Sequence, residues 1–128
     1  MKLNQVKRNG KLCAVVESDE LVIRDAQSAL ELLMRAKYEA DTSNLMIDKR
    51  LIVEDFFVLS TGLAGEILQK YVNYGGRVAI YGDYSHYTSK PLKDFLYILH
   101  HHYPDCHFHC YQEHQSGSQH CSPYISHH

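Results

Sequence analysis

Two acidic residues stand where short apolar runs end. Asp48 closes Leu45-Met46-Ile47, and Asp83 follows the run from Arg77 to Gly82. If these runs are adjacent parallel strands, both carboxylates lie beyond the carboxyl ends of the sheet, where open α/β folds bind ligands. A carboxylate pair there can share a proton or hold a divalent cation. Asp at a strand end also forms an Asx turn, which needs no ligand. Ser60 and Thr61 precede an apolar pattern of helical spacing. Either hydroxyl can cap that helix, and a phosphate on either would meet free N–H groups and the favourable end of the helix dipole. The following loop, Gly82 to Lys90, adds Ser85 and Tyr87 to Asp48 and Asp83 as candidate ligand-binding residues. His86 lies in the same loop and titrates near pH 7. No Ser-His-Asp or Cys-His spacing surrounds it, so no catalytic residue is assigned. Tyr81, Tyr84 and Tyr87 alternate with polar residues, as interface anchors or as strand-end packing.

A different chemistry is offered near the end of the chain. Cys106, Cys110, His120 and Cys121 supply the thiolate and imidazole ligands that zinc takes. Their spacing matches none of the usual zinc frameworks. Cys13 reads as a small core residue. The chain has no Gly-rich phosphate loop, and Gly62 and Gly65 read as allowing close helix packing. No cofactor is expected.

These residues need elements to position them. Arg8-Asn9-Gly10-Lys11 between β-prone runs is a hairpin signal, because Asn-Gly accepts the positive φ of a type I′ turn. Asp25 caps a helix whose stripe is Ala26, Ala29, Leu30, Leu33 and Met34. Leu45 to Asp48 forms a buried strand. Val53, Phe56 and Phe57 have the spacing of one or two helical turns. Leu63, Ala64, Ile67, Leu68, Tyr71 and Val72 make the apolar face of a second helix, stopped by Gly75-Gly76. Arg77 to Tyr81 is a second core strand, and Pro91 opens a helix carrying Leu92, Phe95, Leu96 and Leu99. The two core strands, joined by a helix, should run parallel with a right-handed crossover. Leu63, Ile67 and Leu68 should pack on Val78 and Ile80.

The 128 residues fit one domain with a real core. A net charge of -2 gives no electrostatic reason to expect nucleic acid or a membrane surface as partner. No apolar run reaches signal-peptide or membrane-span length. All 13 Lys and Arg lie at or before Lys93, whereas nine of the 10 His lie at or after His100. That break divides the chain into an α/β domain, 1–98, and an atypical His/Cys-rich tail, 99–128. A change of reading frame, a fusion scar or a metal-binding extension would each produce such a tail, and a disordered or poorly packed ending is expected.

The segments GKLCAVVESDELVIRDAQSALELL and EDFFVLSTGLAGEILQKYVNYGGRVAIYGDYSHYTSKPLKDFLY resemble a family of small bacterial proteins known as domain of unknown function 4180, over about residues 3 to 97. The resemblance implies a compact α/β domain of the bacterial cytoplasm without an assigned reaction. In arrangement the chain is also similar to the STAS fold of anti-sigma-factor antagonists. There a Ser in the turn that opens a helix is a phosphorylation switch, and Ser60-Thr61-Gly62 occupies a comparable place, although no Asp precedes Ser60. The expected architecture is a single α/β domain, STAS-like, with a mixed sheet, an N-terminal hairpin and packed helices. The expected function is a non-enzymatic regulatory or protein-interaction module with an unidentified protein partner. The alternative is a small-molecule or metal-binding domain, possibly an enzyme, that uses Asp48 and Asp83.

Overall fold

The computed structural model describes residues 1–83, 90–113 and 119–123, with side chains described for 1–83 and 94–109. Strands β1 (Lys2–Arg8) and β2 (Lys11–Glu17) form the expected hairpin, with Arg8 paired to Lys11 and positive φ at Asn9 and Gly10. Helix α1 (Ala26–Glu39) starts in a capping box: the Asp25 carboxylate accepts from the Ser28 amide, and the Ser28 hydroxyl accepts from the Asp25 amide. Strand β3 (Asn44–Asp48) follows. Three short 3-10 turns, Lys49–Leu51, Glu54–Phe57 and Leu59–Thr61, then carry the chain to helix α2 (Leu63–Asn73). Strand β4 (Arg77–Gly82), helix α3 (Lys90–His102), strand β5 (Cys106–Glu113) and strand β6 (Gln119–Pro123) complete the fold.

The sheet has six strands in chain order, β1-β2-β3-β4-β5-β6. Both outer pairs are antiparallel, and β2 through β5 run parallel. Each parallel step moves to the next neighbour in the same direction. Right-handed crossovers of that kind bring every connecting helix to the same face. The burial pattern agrees. One set of strand residues, Ala14, Val16, Leu45, Ile47, Val78, Ile80, Cys106 and Phe108, joins residues of all three helices in a single buried core. Leu63, Ile67 and Leu68 belong to that packing with Val78 and Ile80, as the sequence pattern requires.

Two expectations need correction. The α1 stripe is turned by part of a residue step: Leu32 and Ala36 are buried, whereas Met34 is exposed. The buried Ser28 of the capping box fixes that rotation, because it brings the face containing Ala29, Leu32 and Ala36 inward. Next, the compositional break at residue 98 is not where the fold ends. Helix α3 continues to His102, and β5 adds Cys106 and Phe108 to the core beside Val78 and Ile80. The beginning of the tail is therefore packed, because its alternating Cys106 and Phe108 meet a sheet edge that would otherwise be bare. A sheet wound in one direction has no reversal of strand order.

Candidate functional site

The one-sided winding leaves the second face of the sheet free of helices among the described residues. Its composition follows from register, since residues directly opposite on neighbouring strands share a face. One row across it is Val15, Met46, Ala79 and His107, and the next is Asp48, Tyr81 and His109. Cys13, opposite Val6, continues the apolar part toward β1. Cys13 and Met46 are buried yet stand outside the main core, so a second, smaller apolar cluster lies on this face. Val15, Ala79 and Tyr81 are only half-buried.

Two shallow grooves cross the face. The upper one, of about 490 Å³, is bordered by Val15, Glu17, Asp19, Asp48, Arg50 and Tyr81 among others. The lower one, of about 420 Å³, includes Lys11, Cys13, Arg77, Ala79, His107 and His109. Arg8, Met46 and Tyr81 line both. Both grooves carry charges of both signs. Glu17, Asp19 and Asp48 lie with Arg50 in the upper groove, and Lys11 and Arg77 lie with Asp105 in the lower, with Arg8 reaching both. Arg77 meets Asp105 at 3.6 Å.

Three histidines gather along β5 and the end of α3. The rings of His100 and His107 are 5.0 Å apart, those of His107 and His109 are 6.0 Å apart, and His109 stacks on Tyr81 at 5.0 Å. Partial burial, then the neighbouring His100, hold His107 below its usual pKa. Burial, then His107 and Arg8, do the same to His109. His100 is tied to the Cys106 carbonyl by its Nδ1 at 2.7 Å.

The residues singled out from the sequence fare differently. Asp48 is engaged as a turn cap: its carboxylate accepts from the Arg50 amide at 2.8 Å and pairs with the Arg50 guanidinium at 3.1 Å. Asp83 is exposed just past β4 and lines neither groove. Of the two carboxylates, only Asp48 borders the grooves described above. Thr61 is committed too. Its hydroxyl is within reach of the Asp55 and Val58 carbonyls, at 2.6 and 2.9 Å, and accepts from the Leu63 amide at 3.2 Å. Gly62, at φ 70°, turns the chain into α2, and Ser60 is exposed on the last 3-10 turn. Ser85, His86 and Tyr87 lie outside the described residues, as do Tyr84 and the side chains of Cys110, His120 and Cys121. Cys106 faces the core, and burial pushes its thiol pKa far up. Among the described residues no group of three or more His, Cys, Asp or Glu is placed to hold a metal ion. No described helix is long and apolar enough to cross a membrane.

The sequence reading missed this face. The signal was present in the alternation of Cys13 and Val15 with Ala14 and Val16, but strands apolar on both sides read equally well as strands buried on both sides.

Comparison with known proteins gives one match. The family model described as "Domain of unknown function (DUF4180)" matches residues 8–103. No curated protein and no solved structure matches.

Proposed function

Because the chain belongs to the family of domain of unknown function 4180, which carries no assigned reaction, we propose from its geometry that it is a non-enzymatic protein-interaction module acting through the helix-free sheet face. One observation carries this reading. Cys13, Val15, Met46, Ala79 and Tyr81 form an apolar strip outside the main core, flanked by charged residues at both ends. An apolar centre with a polar rim is the usual anatomy of a protein interface. A regulatory use of Ser60 is compatible with its exposure, whereas Thr61 is held in local structure.

The grooves also have volumes in the range of small-molecule sites, which supports the second reading, a ligand-binding domain. That reading would have to use the sheet face, since Asp48 already serves Arg50.

Ala79→Arg fills the middle of the face without touching the helix-covered core. It should abolish the associations that the tagged wild-type chain makes in cells while leaving the thermal melt unchanged. Tyr38→Arg, on a side chain that is 91% exposed on α1, should abolish none of them. Retention of every partner by Ala79→Arg would remove the proposal.

A further inference from the structure

Going beyond a protein partner, we infer that the lower groove of the helix-free face binds a small phosphate monoester. Its dianionic phosphate lies among Arg8, Lys11 and Arg77, and its organic group lies on the apolar strip. The groove carries net positive charge, since those three cations line it against one carboxylate, Asp105. Two of the cations sit where the fold alone disfavours them. Arg8 and Lys11 stand directly opposite each other at the end of the β1–β2 hairpin, and like charges opposed across a strand pair are destabilising. Neither has an acidic ion-pair partner among the described residues. An anion between them removes the repulsion. The positive field also reaches the far side of the groove. Burial and the neighbouring imidazoles depress His107 and His109 most. Arg8 then adds to the depression at His109, and Arg77 adds to it at His107 against the opposing Asp105. Arg8, on the first strand, thus makes its charge felt on the fifth.

The lining of the groove sets the class of ligand. Guanidinium groups take phosphate oxygens through paired N–H donors, and a lysine ammonium adds a point charge. Beside them Cys13, Met46 and Ala79 are apolar, and Tyr81, its ring stacked on His109, lines the same space. A volume of about 420 Å³ admits a ligand of small-molecule size. Free phosphate would use only the cations, and a neutral aromatic alcohol only the apolar strip. Asp105 is the opposing element. It meets Arg77 at 3.6 Å with both side chains about half exposed, a loose pair that an incoming phosphate can replace.

The test is an amide NMR titration of the full chain with phenyl phosphate, inorganic phosphate and phenol. Phenyl phosphate should give saturable shifts at Lys11, Cys13, Arg77, Ala79 and His107, with a dissociation constant near or below about 1 mM, as for a good small fragment. Inorganic phosphate and phenol should each bind at least about tenfold more weakly, because each makes only half of the contacts. Arg8→Gln and Lys11→Gln should each weaken phenyl phosphate by about fivefold or more. Asp105→Asn should tighten it by about threefold or more, because the opposing carboxylate is gone. Lys7→Gln, on the same hairpin but outside the groove, should change it by less than about twofold. These positions are all exposed, and thermal melts check that the variants fold. Absence of saturation by about 10 mM overturns the inference. So does equal affinity for inorganic phosphate, or a dissociation constant indifferent to Arg8→Gln, Lys11→Gln and Asp105→Asn. Any of these results leaves the partners captured through Ala79 untouched, and loss of those partners leaves the phosphate site standing.

Discussion

Phe108 gives the sharpest test of how far this domain extends. It lies past the compositional break, in a segment crowded with His and Cys, yet its side chain is 1% exposed and it sits opposite Ile80 on the neighbouring strand. The segment is also anchored locally. The Cys106 amide donates to the Tyr103 carbonyl at 2.8 Å, and the Val78 amide donates to the Asp105 carbonyl at 3.1 Å. Replacing Phe108 by Ala removes most of a buried ring and leaves a cavity between β5 and the helices. Such substitutions cost about 3–5 kcal/mol. A domain of this kind has about 5–15 kcal/mol in total, so about a fifth or more of its stability should go. For a chain of this length that is a fall in melting temperature of about 10–20 °C. Urea unfolding at equilibrium should show a lower midpoint with the slope unchanged, since the same surface is exposed on unfolding. His101→Ala, at an exposed position on α3, should stay within about 0.5 kcal/mol. A loss below about 0.5 kcal/mol for Phe108→Ala would refute the reasoning, because β5 would then not be part of the core.

Three further outcomes are expected. Ile67→Ala on the buried face of α2 should cost about 2–5 kcal/mol in the same assay, and a cost of a neutral surface change would mean the helix face is misassigned. Tyr71→Phe removes a buried hydroxyl that donates to the Ala29 carbonyl at 2.8 Å. It should cost about 1 kcal/mol, and a more stable variant would contradict that bond. His107 and His109 have pKa values below the usual histidine value when folded, so between the two values the unfolded chain binds more protons. Their contribution is intact above about pH 6.5 and is lost as pH falls through the folded values. The urea midpoint should drop on acidification from about pH 7.5 to about pH 5.5. His107→Gln combined with His109→Gln should flatten that drop, and an unchanged pH slope would count against the cluster.

Much of the fold was legible where local chemistry decides it. Asn9-Gly10, the Asp25 cap and the Gly75 stop each specify backbone geometry within a few residues, and positive φ at Asn9, Gly10 and Gly75 agrees with them. The pairing of β3 with β4 follows from the intervening α2, because a parallel connection needs a crossover. The direction of winding was not legible. Periodicity identifies Leu45-Met46-Ile47 as a strand but does not say which neighbour it takes, and that choice decides whether helices cover one face or two. The expected site at Asp48 and Asp83 rested on their places at the ends of two adjacent parallel strands, and β3 and β4 are such a pair. Cys106 and Phe108 were obscured by composition: His and Cys crowding drew attention to metal chemistry, although alternate apolar residues were the feature that packed. Membership of the family is shown over residues 8–103, and β5 lies beyond that segment. Its place in the sheet therefore rests on burial and register alone.

The most direct measurement of the central claim is residue-resolved amide NMR on the full chain as a protein captured with the tagged wild-type chain is added. The account predicts shifts confined to the helix-free face, at Lys11 to Glu17, Met46 and Arg77 to Tyr81, with Tyr38 on α1 and Val72 on α2 unmoved. Shifts gathered on the helical side, or a spectrum that such a protein leaves unchanged, would contradict it.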